Sequence, residues 1–86
     1  MNSTHGMIKA QIEEEMLVTY GEDFTDDTNL FEAGIMDSFG YVQLVGFLQD
    51  TFGIAFSDDD ILTNVMVSLA RMTEAVEAQM QLAQAS

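Results

Sequence analysis

Ser38 is the residue of this chain whose type and position could carry chemistry. It follows Asp37 at the end of a long acidic segment, where a strongly amphipathic helix is predicted to begin. The start of a helix offers unpaired backbone N–H groups and the positive end of the helix dipole, which together suit a phosphate group. Because no nucleophile–base pair is evident, we predict that Ser38 is an attachment point for a covalent phosphate and not a catalyst.

A serine hydrolase is the first alternative use of Ser38. That chemistry needs a base beside the nucleophile and a third group that orients the base. The single histidine is His5, in an N-terminal segment that we expect to be mobile. The sequence around Ser38 also lacks the first glycine of a nucleophile elbow, so the hydrolase is disfavoured.

The clustered acids raise calcium binding as a second alternative. An EF-hand loop needs oxygen ligands at alternate positions, a central glycine and a glutamate at position twelve. A register that begins at Asp23 has Thr28 where the glycine belongs and Gly34 where the glutamate belongs. Residues 58–60 are adjacent aspartates and cannot alternate. We therefore expect solvated acids and no metal site.

A first helix and a long loop must lead the chain to Ser38. Ser3 or Thr4 can cap the helix, which we expect to run to about Tyr20, with Gly21 as its C-terminal stop. Residues 22–37 then form a sixteen-residue loop, which is long enough to suggest a function. Its expected anchors onto the core are Phe24, Leu30, Phe31, Ile35 and Met36.

The second helix is predicted over residues 38–52. Its core face should carry Tyr41, Leu44, Val45, Leu48 and Phe52. Phe39 falls on the opposite side, and an exposed aromatic residue beside Ser38 indicates a contact surface. A short third helix should follow Ser57, and Ser68 should cap a last helix. The core face of the last helix should carry Leu69, Met72 and Val76, and the same spacing extends to Met80.

Composition indicates one small helical domain over residues 1–86, with an ordered core at about 4–78 and a frayed tail at 79–86. Hydrophobic residues make up 48% of the chain, which is enough for a packed core. The chain has no cysteine, so neither a disulfide nor a thiolate metal site can staple the fold.

The net charge of −13 disfavours nucleic acid and anionic membranes and favours partners with Lys/Arg patches. No apolar run approaches the roughly 20 residues that span a bilayer, and the N-terminus lacks a signal-peptide pattern. We therefore expect a cytoplasmic monomer that does not span a membrane. An unmodified acidic adaptor that binds a basic partner is the alternative that these features leave open.

The motifs around Ser38 resemble those of the acyl carrier protein family. The hallmark of that family is a glycine, then Asp-Ser followed by a large apolar residue and a Val-x-Leu run. This pattern is matched in order by Gly34, Asp37, Ser38, Phe39, Val42 and Leu44. The Phe-Gly-Ile connector at residues 52–54 extends the resemblance, which covers the chain from about Ile8 to Val76.

The resemblance implies an all-α, four-helix bundle with a long loop between the first two helices. Ser38 would receive a 4′-phosphopantetheine arm from coenzyme A through a separate, Mg²⁺-dependent phosphopantetheinyl transferase. The thiol of the arm would hold an acyl or aminoacyl group as a thioester. The implied partners are this transferase, an enzyme that loads the acyl or aminoacyl group, and downstream acyl-processing enzymes. The carrier itself would catalyse nothing.

The second helix departs from carriers of fatty-acid synthesis, which usually place acids along it. Only Asp50 is acidic between residues 38 and 52, and Gly46 replaces a large apolar contact residue. The Gly-Ile-Met-Asp-Ser and Val-Gln-Leu sequences are more similar to those of D-alanyl carrier proteins and of stand-alone carriers of specialised pathways. The predicted partner-binding residues are Met36, Phe39, Val42, Gly46, Asp50, Asp58 and Asp59.

Overall fold

The structure is a computed structural model that describes residues 3–57, 59, 61 and 66–85. It contains three helices, which are α1 (Thr4–Met16), α2 (Ser38–Phe52) and α3 (Leu69–Ala85). The described residues include no strand, only an isolated bridge between Tyr20 and Phe24. The prediction of an all-helical fold is confirmed. No helix among the described residues is long and apolar enough to cross a membrane.

The short helix predicted after Ser57 lies largely outside the described residues, as do Asp58, Asp60 and residues 62–65. Residues 59 and 61 are helical, and the N–H of Ile61 donates to the carbonyl of Ser57 at 3.1 Å. This bond has the spacing of an α-helical turn. The count of four helices stays a prediction.

Helix α1 begins as predicted and ends earlier than predicted. The Ser3 hydroxyl oxygen accepts the N–H of Gly6 at 3.0 Å and caps the first turn. Leu17 then adopts a left-handed conformation (φ 55°, ψ 48°), and its N–H and that of Val18 both donate to the carbonyl of Glu13. The predicted continuation to about Tyr20 is therefore wrong, because the backbone turns away at Leu17 instead of at a glycine.

Helix α2 has the predicted bounds, and four residues of its predicted core face are buried: Tyr41, Leu44, Val45 and Leu48. Phe52, the fifth, is half-buried and packs against the core. The predicted cap of α3 is also confirmed, since the Ser68 hydroxyl oxygen accepts the N–H of Arg71 at 3.3 Å. The predicted core residues of α3 are buried: Leu69, Met72 and Val76. Helix α3 continues through Ala85, and fraying of residues 79–86 stays a prediction.

The long loop is anchored to the core and to the start of α3. Phe24, Leu30 and Met36 are buried, as predicted for anchors. The N–H of Leu30 donates to the carbonyl of Val67 at 2.8 Å, and the N–H of Ala70 donates to the carbonyl of Asp26 at 3.0 Å. These bonds satisfy backbone groups that a free loop would leave to water, so the loop has a defined path to Ser38.

The side chain of Tyr41 connects α2 to the segment that precedes α3. Its hydroxyl donates to the carbonyl of Ile61 at 3.0 Å and accepts the N–H of Met66 at 3.3 Å. Tyr41 therefore fixes the two described residues that flank positions 62–65. Its ring also packs edge-on against Phe31 of the loop, with ring centroids 5.5 Å apart.

Candidate functional site

Ser38 is the first residue of α2 and is exposed. The helix begins here because Asp37 has extended backbone angles and its Oδ1 accepts the N–H of Gly40 at 2.8 Å. The carbonyl of Asp37 accepts the N–H of Tyr41 at 2.9 Å, which starts the helical hydrogen bonding. Asp37 thus fixes the first turn and leaves the Ser38 hydroxyl at the surface, beside the positive end of the helix dipole.

A tight turn around the Leu30 carbonyl delivers the loop to Asp37. The N–H groups of Ile35 and Met36 both donate to that carbonyl, at 2.9 and 3.1 Å. Gly34 permits the turn, because its φ of 75° lies in the left-handed region that favours glycine. Met36 was expected to contact partners, but its side chain is only 4% exposed and packs in the core. It supports the junction from inside and offers a partner almost no surface.

The end of α1 lies against the first turn of α2. A Cβ atom placed on Gly40 would be 3.1 Å from Cε of Met16 and 3.3 Å from Oδ1 of Asp37. Glycine therefore allows the Met16 side chain to approach α2 closely at this point. The contact places the C-terminal end of α1 beside the helix turn that begins with Ser38.

A groove of about 470 Å³ opens beside Ser38. Its lining residues are Asn29, Phe31, Glu32, Ser38, Tyr41, Val42, Ile61 and Val67. Most of the lining is apolar and comes from the loop, α2 and the segment before α3. The combination of an exposed hydroxyl and an apolar groove fits an extended, partly apolar group that is attached at Ser38 and lies along the protein.

The predicted partner residues of α2 lie on its outer face. Phe39 is 72% exposed and Val42 is 63% exposed, so the prediction that Phe39 faces away from the core is confirmed. Among the described residues, apart from its chain neighbours and the backbone of α2, no atom lies within 4 Å of a Cβ placed on Gly46. Gly46 shares this face at about 100° per residue, and Asp50 is exposed as well. The outer face of α2 therefore carries an apolar strip that begins next to Ser38 and consists of Phe39, Val42 and Gly46.

The predicted partner residues beyond α2 are only partly described. Asp58 lies outside the described residues. Asp59 is exposed and already interacts within the protein.

His5 belongs to α1 and is engaged elsewhere. Its Nε2 lies 2.7 Å from Oδ1 of Asp26, which also accepts the Tyr20 hydroxyl at 3.0 Å. The pKa of Asp26 is lowered, chiefly by its hydrogen bond with His5. The pKa of Tyr20 is raised, chiefly by its hydrogen bond to Asp26. The expectation of a mobile N-terminal histidine is wrong, because the helix and this pair hold His5. His5 does not line the groove beside Ser38, so the structure offers no support for a hydrolase.

No group of three or more His, Cys, Asp or Glu side chains in the described part of the chain could hold a metal ion.

Sequence reasoning missed Leu17 as a surface feature. This leucine is 89% exposed, and it is the only described residue other than glycine with a positive φ. The available signal was its position off the apolar stripe that Ile8, Ile12 and Met16 form along α1. This position indicates an exposed side chain only when the helix is known to end at Met16.

Comparisons with known proteins agree on one family. The family model described as phosphopantetheine attachment site matches residues 8–76. D-alanyl carrier proteins from two strains of Lactobacillus delbrueckii subsp. bulgaricus are each 43% identical to this chain over 60 residues. The match covers 62% of this chain and 75% of each relative. No solved structure shows a significant match.

Proposed function

The chain belongs to the phosphopantetheine attachment family, and on that premise we propose that Ser38 is the residue that bears the arm. Members of this family are carriers and not enzymes, and their prosthetic group is a covalently bound 4′-phosphopantetheine. The single observation that carries the assignment is the exposed hydroxyl of Ser38 at the first position of α2, directly after the capping residue Asp37.

Loading forms one bond and breaks one. Ser38 Oγ bonds to the coenzyme A phosphorus that carries the pantetheine, the P–O bond of the pyrophosphate breaks, and 3′,5′-adenosine bisphosphate leaves. A separate transferase accepts the hydroxyl proton and supplies Mg²⁺. The positive end of the α2 dipole favours the phosphodiester that results.

The carried group is an acyl or aminoacyl unit. When bound, the arm supplies a thiol that holds such a unit as a thioester. The groove beside Ser38 supports this role, because its apolar lining can shelter the arm or a small cargo from water. The similarity to D-alanyl carrier proteins favours an aminoacyl cargo and makes D-alanine the first candidate to test.

The partners are a phosphopantetheinyl transferase, a loading enzyme and downstream processing enzymes. Their contact surface comprises the outer strip of α2, formed by Phe39, Val42 and Gly46, and the acids Asp50, Asp58 and Asp59. The negative charge steers basic enzymes toward the arm, which raises encounter rates more than affinity. We also propose that the carrier acts as a cytoplasmic monomer. A short helix after Ser57, between α2 and α3, would bring the number of helices to four.

Intact-protein mass spectrometry tests the assignment. The purified chain is incubated with coenzyme A, Mg²⁺ and a broad-specificity phosphopantetheinyl transferase. We expect one added phosphopantetheine on the wild type and on the control Thr51→Ala, and none on Ser38→Ala. Modification of Ser38→Ala would overturn the site, and an unmodified but folded wild type would overturn the carrier function.

A second candidate is an unmodified acidic adaptor for a basic partner. The charge of −13 and the exposed Phe39 and Val42 favour it. Adaptor binding would weaken at high salt and would be indifferent to both Ser38→Ala and coenzyme A. The mass measurement separates the two candidates, because only the carrier gains mass.

A further inference from the structure

We propose that Leu17, at the end of α1, is a docking contact for the transferase that modifies Ser38. With Phe39 and Val42 it forms what we call the apolar rim. This inference rests on the proposed function and adds to it a residue on another helix and the enzyme that contacts it.

The conformation of Leu17 is costly and its side chain is almost fully exposed. A left-handed residue at a helix end is usually glycine or asparagine, because a Cβ atom is disfavoured there. Leu17 has φ 55° and is 89% exposed, so the leucine side chain recovers little by burial. Costly conformations of this kind concentrate at functional sites, which makes Leu17 a candidate for contact with another molecule.

Leu17 directly follows the residue of α1 that meets the first turn of α2. It follows Met16, whose Cε is 3.1 Å from a Cβ placed on Gly40, two residues after Ser38. At about 100° per residue, Phe39 lies between Ser38 and the side of α2 that Gly40 turns toward α1. The apolar rim therefore runs from Val42, which lies next to Ser38, past Phe39 towards the side of α2 that meets the end of α1.

The transferase is the enzyme that this rim fits. Its active site must reach Ser38 Oγ itself, so it has to cover the residues around the first turn of α2. Enzymes that act on the cargo need only reach the far end of the arm. A standard interface buries about 800 Å² on each partner, which is wide enough to extend from Ser38 to the neighbouring helix end.

The acidic residues next to the apolar rim in the sequence indicate which charges the enzyme surface should carry. Leu17 follows three glutamates, Glu13, Glu14 and Glu15, and Ser38 follows Asp37. The matching enzyme surface is an apolar depression bordered by Lys and Arg side chains.

Steady-state kinetics of loading test this contact. The variable substrate is the apo form of the full chain, with saturating coenzyme A, Mg²⁺ and a broad-specificity transferase. Leu17→Asn removes the apolar group and keeps a residue that tolerates the left-handed conformation. Leu82→Asn is the matched control, because Leu82 is 64% exposed and lies about 20 Å along α3 from Leu69. Thermal unfolding of each variant is measured in parallel.

We expect Leu17→Asn to raise KM by about five-fold or more, with kcat little changed and thermal stability equal to or above that of the wild type. Leu82→Asn should leave KM unchanged. If the wild type is loaded readily and Leu17→Asn has the same KM, this inference is overturned while the proposed function stands. A fall in kcat without a change in KM would also overturn it, and failure of the wild type to load would overturn the proposed function. If Leu17→Asn is less stable, Leu17→Gly provides the same test.

Discussion

At the scale of single residues, Asp37 and Ser38 have separate tasks although they are adjacent. The carboxylate of Asp37 is used within the protein, where it accepts the N–H of Gly40, while the hydroxyl of Ser38 faces outward. A change at Asp37 should therefore act first on folding. A change at Ser38 should act on loading alone.

The capping role of Asp37 can be measured directly. Asp37→Ala should lower the free energy of unfolding by about 1 kcal/mol, because the N–H of Gly40 loses its acceptor. Asp37→Asn should cost much less, since an amide oxygen caps a helix nearly as well. Urea unfolding of both variants gives the comparison, and equal losses would contradict capping as the stabilising role of Asp37.

At the scale of elements, α2 could be predicted from the sequence and the end of α1 could not. A capping aspartate and apolar residues at helical spacing specify α2 locally. The end of α1 coincides with a left-handed leucine, a conformation that sequence patterns assign to glycine, and with a tertiary contact between Met16 and Gly40. Met36 was predicted both as a core anchor and as a partner contact, and only the first prediction is confirmed, because the turn around the Leu30 carbonyl directs its side chain inward.

The two interior glycines of α2 should respond differently to alanine. Gly46→Ala should raise the free energy of unfolding by about 1 kcal/mol, because alanine favours the helix and no described side chain or other segment lies within 4 Å of the new Cβ. Gly40→Ala should gain less or lose stability, since its Cβ would approach Met16 to 3.1 Å. Chemical unfolding of the pair tests this, and an equal gain would mean that Met16 moves aside at no cost.

The link between α1 and the loop should depend on pH. Hydrogen bonds, first from His5 and then from Tyr20, hold the pKa of Asp26 below its usual 3.8, and the charge of Lys9 adds to the effect. The charge of Asp27 contributes to raising the pKa of Tyr20. A carboxyl group whose pKa is lower in the folded than in the unfolded protein stabilises the fold at pH values above its unfolded-state pKa. This stabilisation is lost as the pH falls through its folded-state pKa. Below about pH 4 the wild type should therefore lose this part of its stability.

Asp26→Asn removes the titrating group and tests the expectation. Its stability deficit against the wild type should be largest near neutral pH and should shrink in acid. Asp27→Asn, at an exposed neighbour, is the control and should parallel the wild type. Thermal unfolding across this pH range provides the measurement. A deficit of Asp26→Asn that did not change with pH would contradict a role for the charged carboxylate.

At the scale of the whole molecule, the charge of −13 should govern encounter with enzymes. We expect kcat/KM for loading to fall at least about ten-fold as NaCl is raised to about 0.5 M, because salt screens the attraction. The kcat at saturating carrier should change less. This comparison separates slower encounter, which lowers kcat/KM, from direct inhibition of the transferase by salt, which would also lower kcat. Asp50→Lys should lower kcat/KM at low salt without a matching loss of stability. Salt-independent loading would mean that the acids serve only as a solvated surface.

Tyr41 gives the molecule a built-in reporter. Its ring lines the groove beside Ser38, while its hydroxyl accepts the backbone N–H of Met66 on another segment. A group that enters the groove and displaces the ring would lengthen or break that hydrogen bond. The amide resonance of Met66 in an NMR spectrum would then shift between an empty and a filled groove. Where a carried group rests could thus be followed in solution without attaching any label near Ser38.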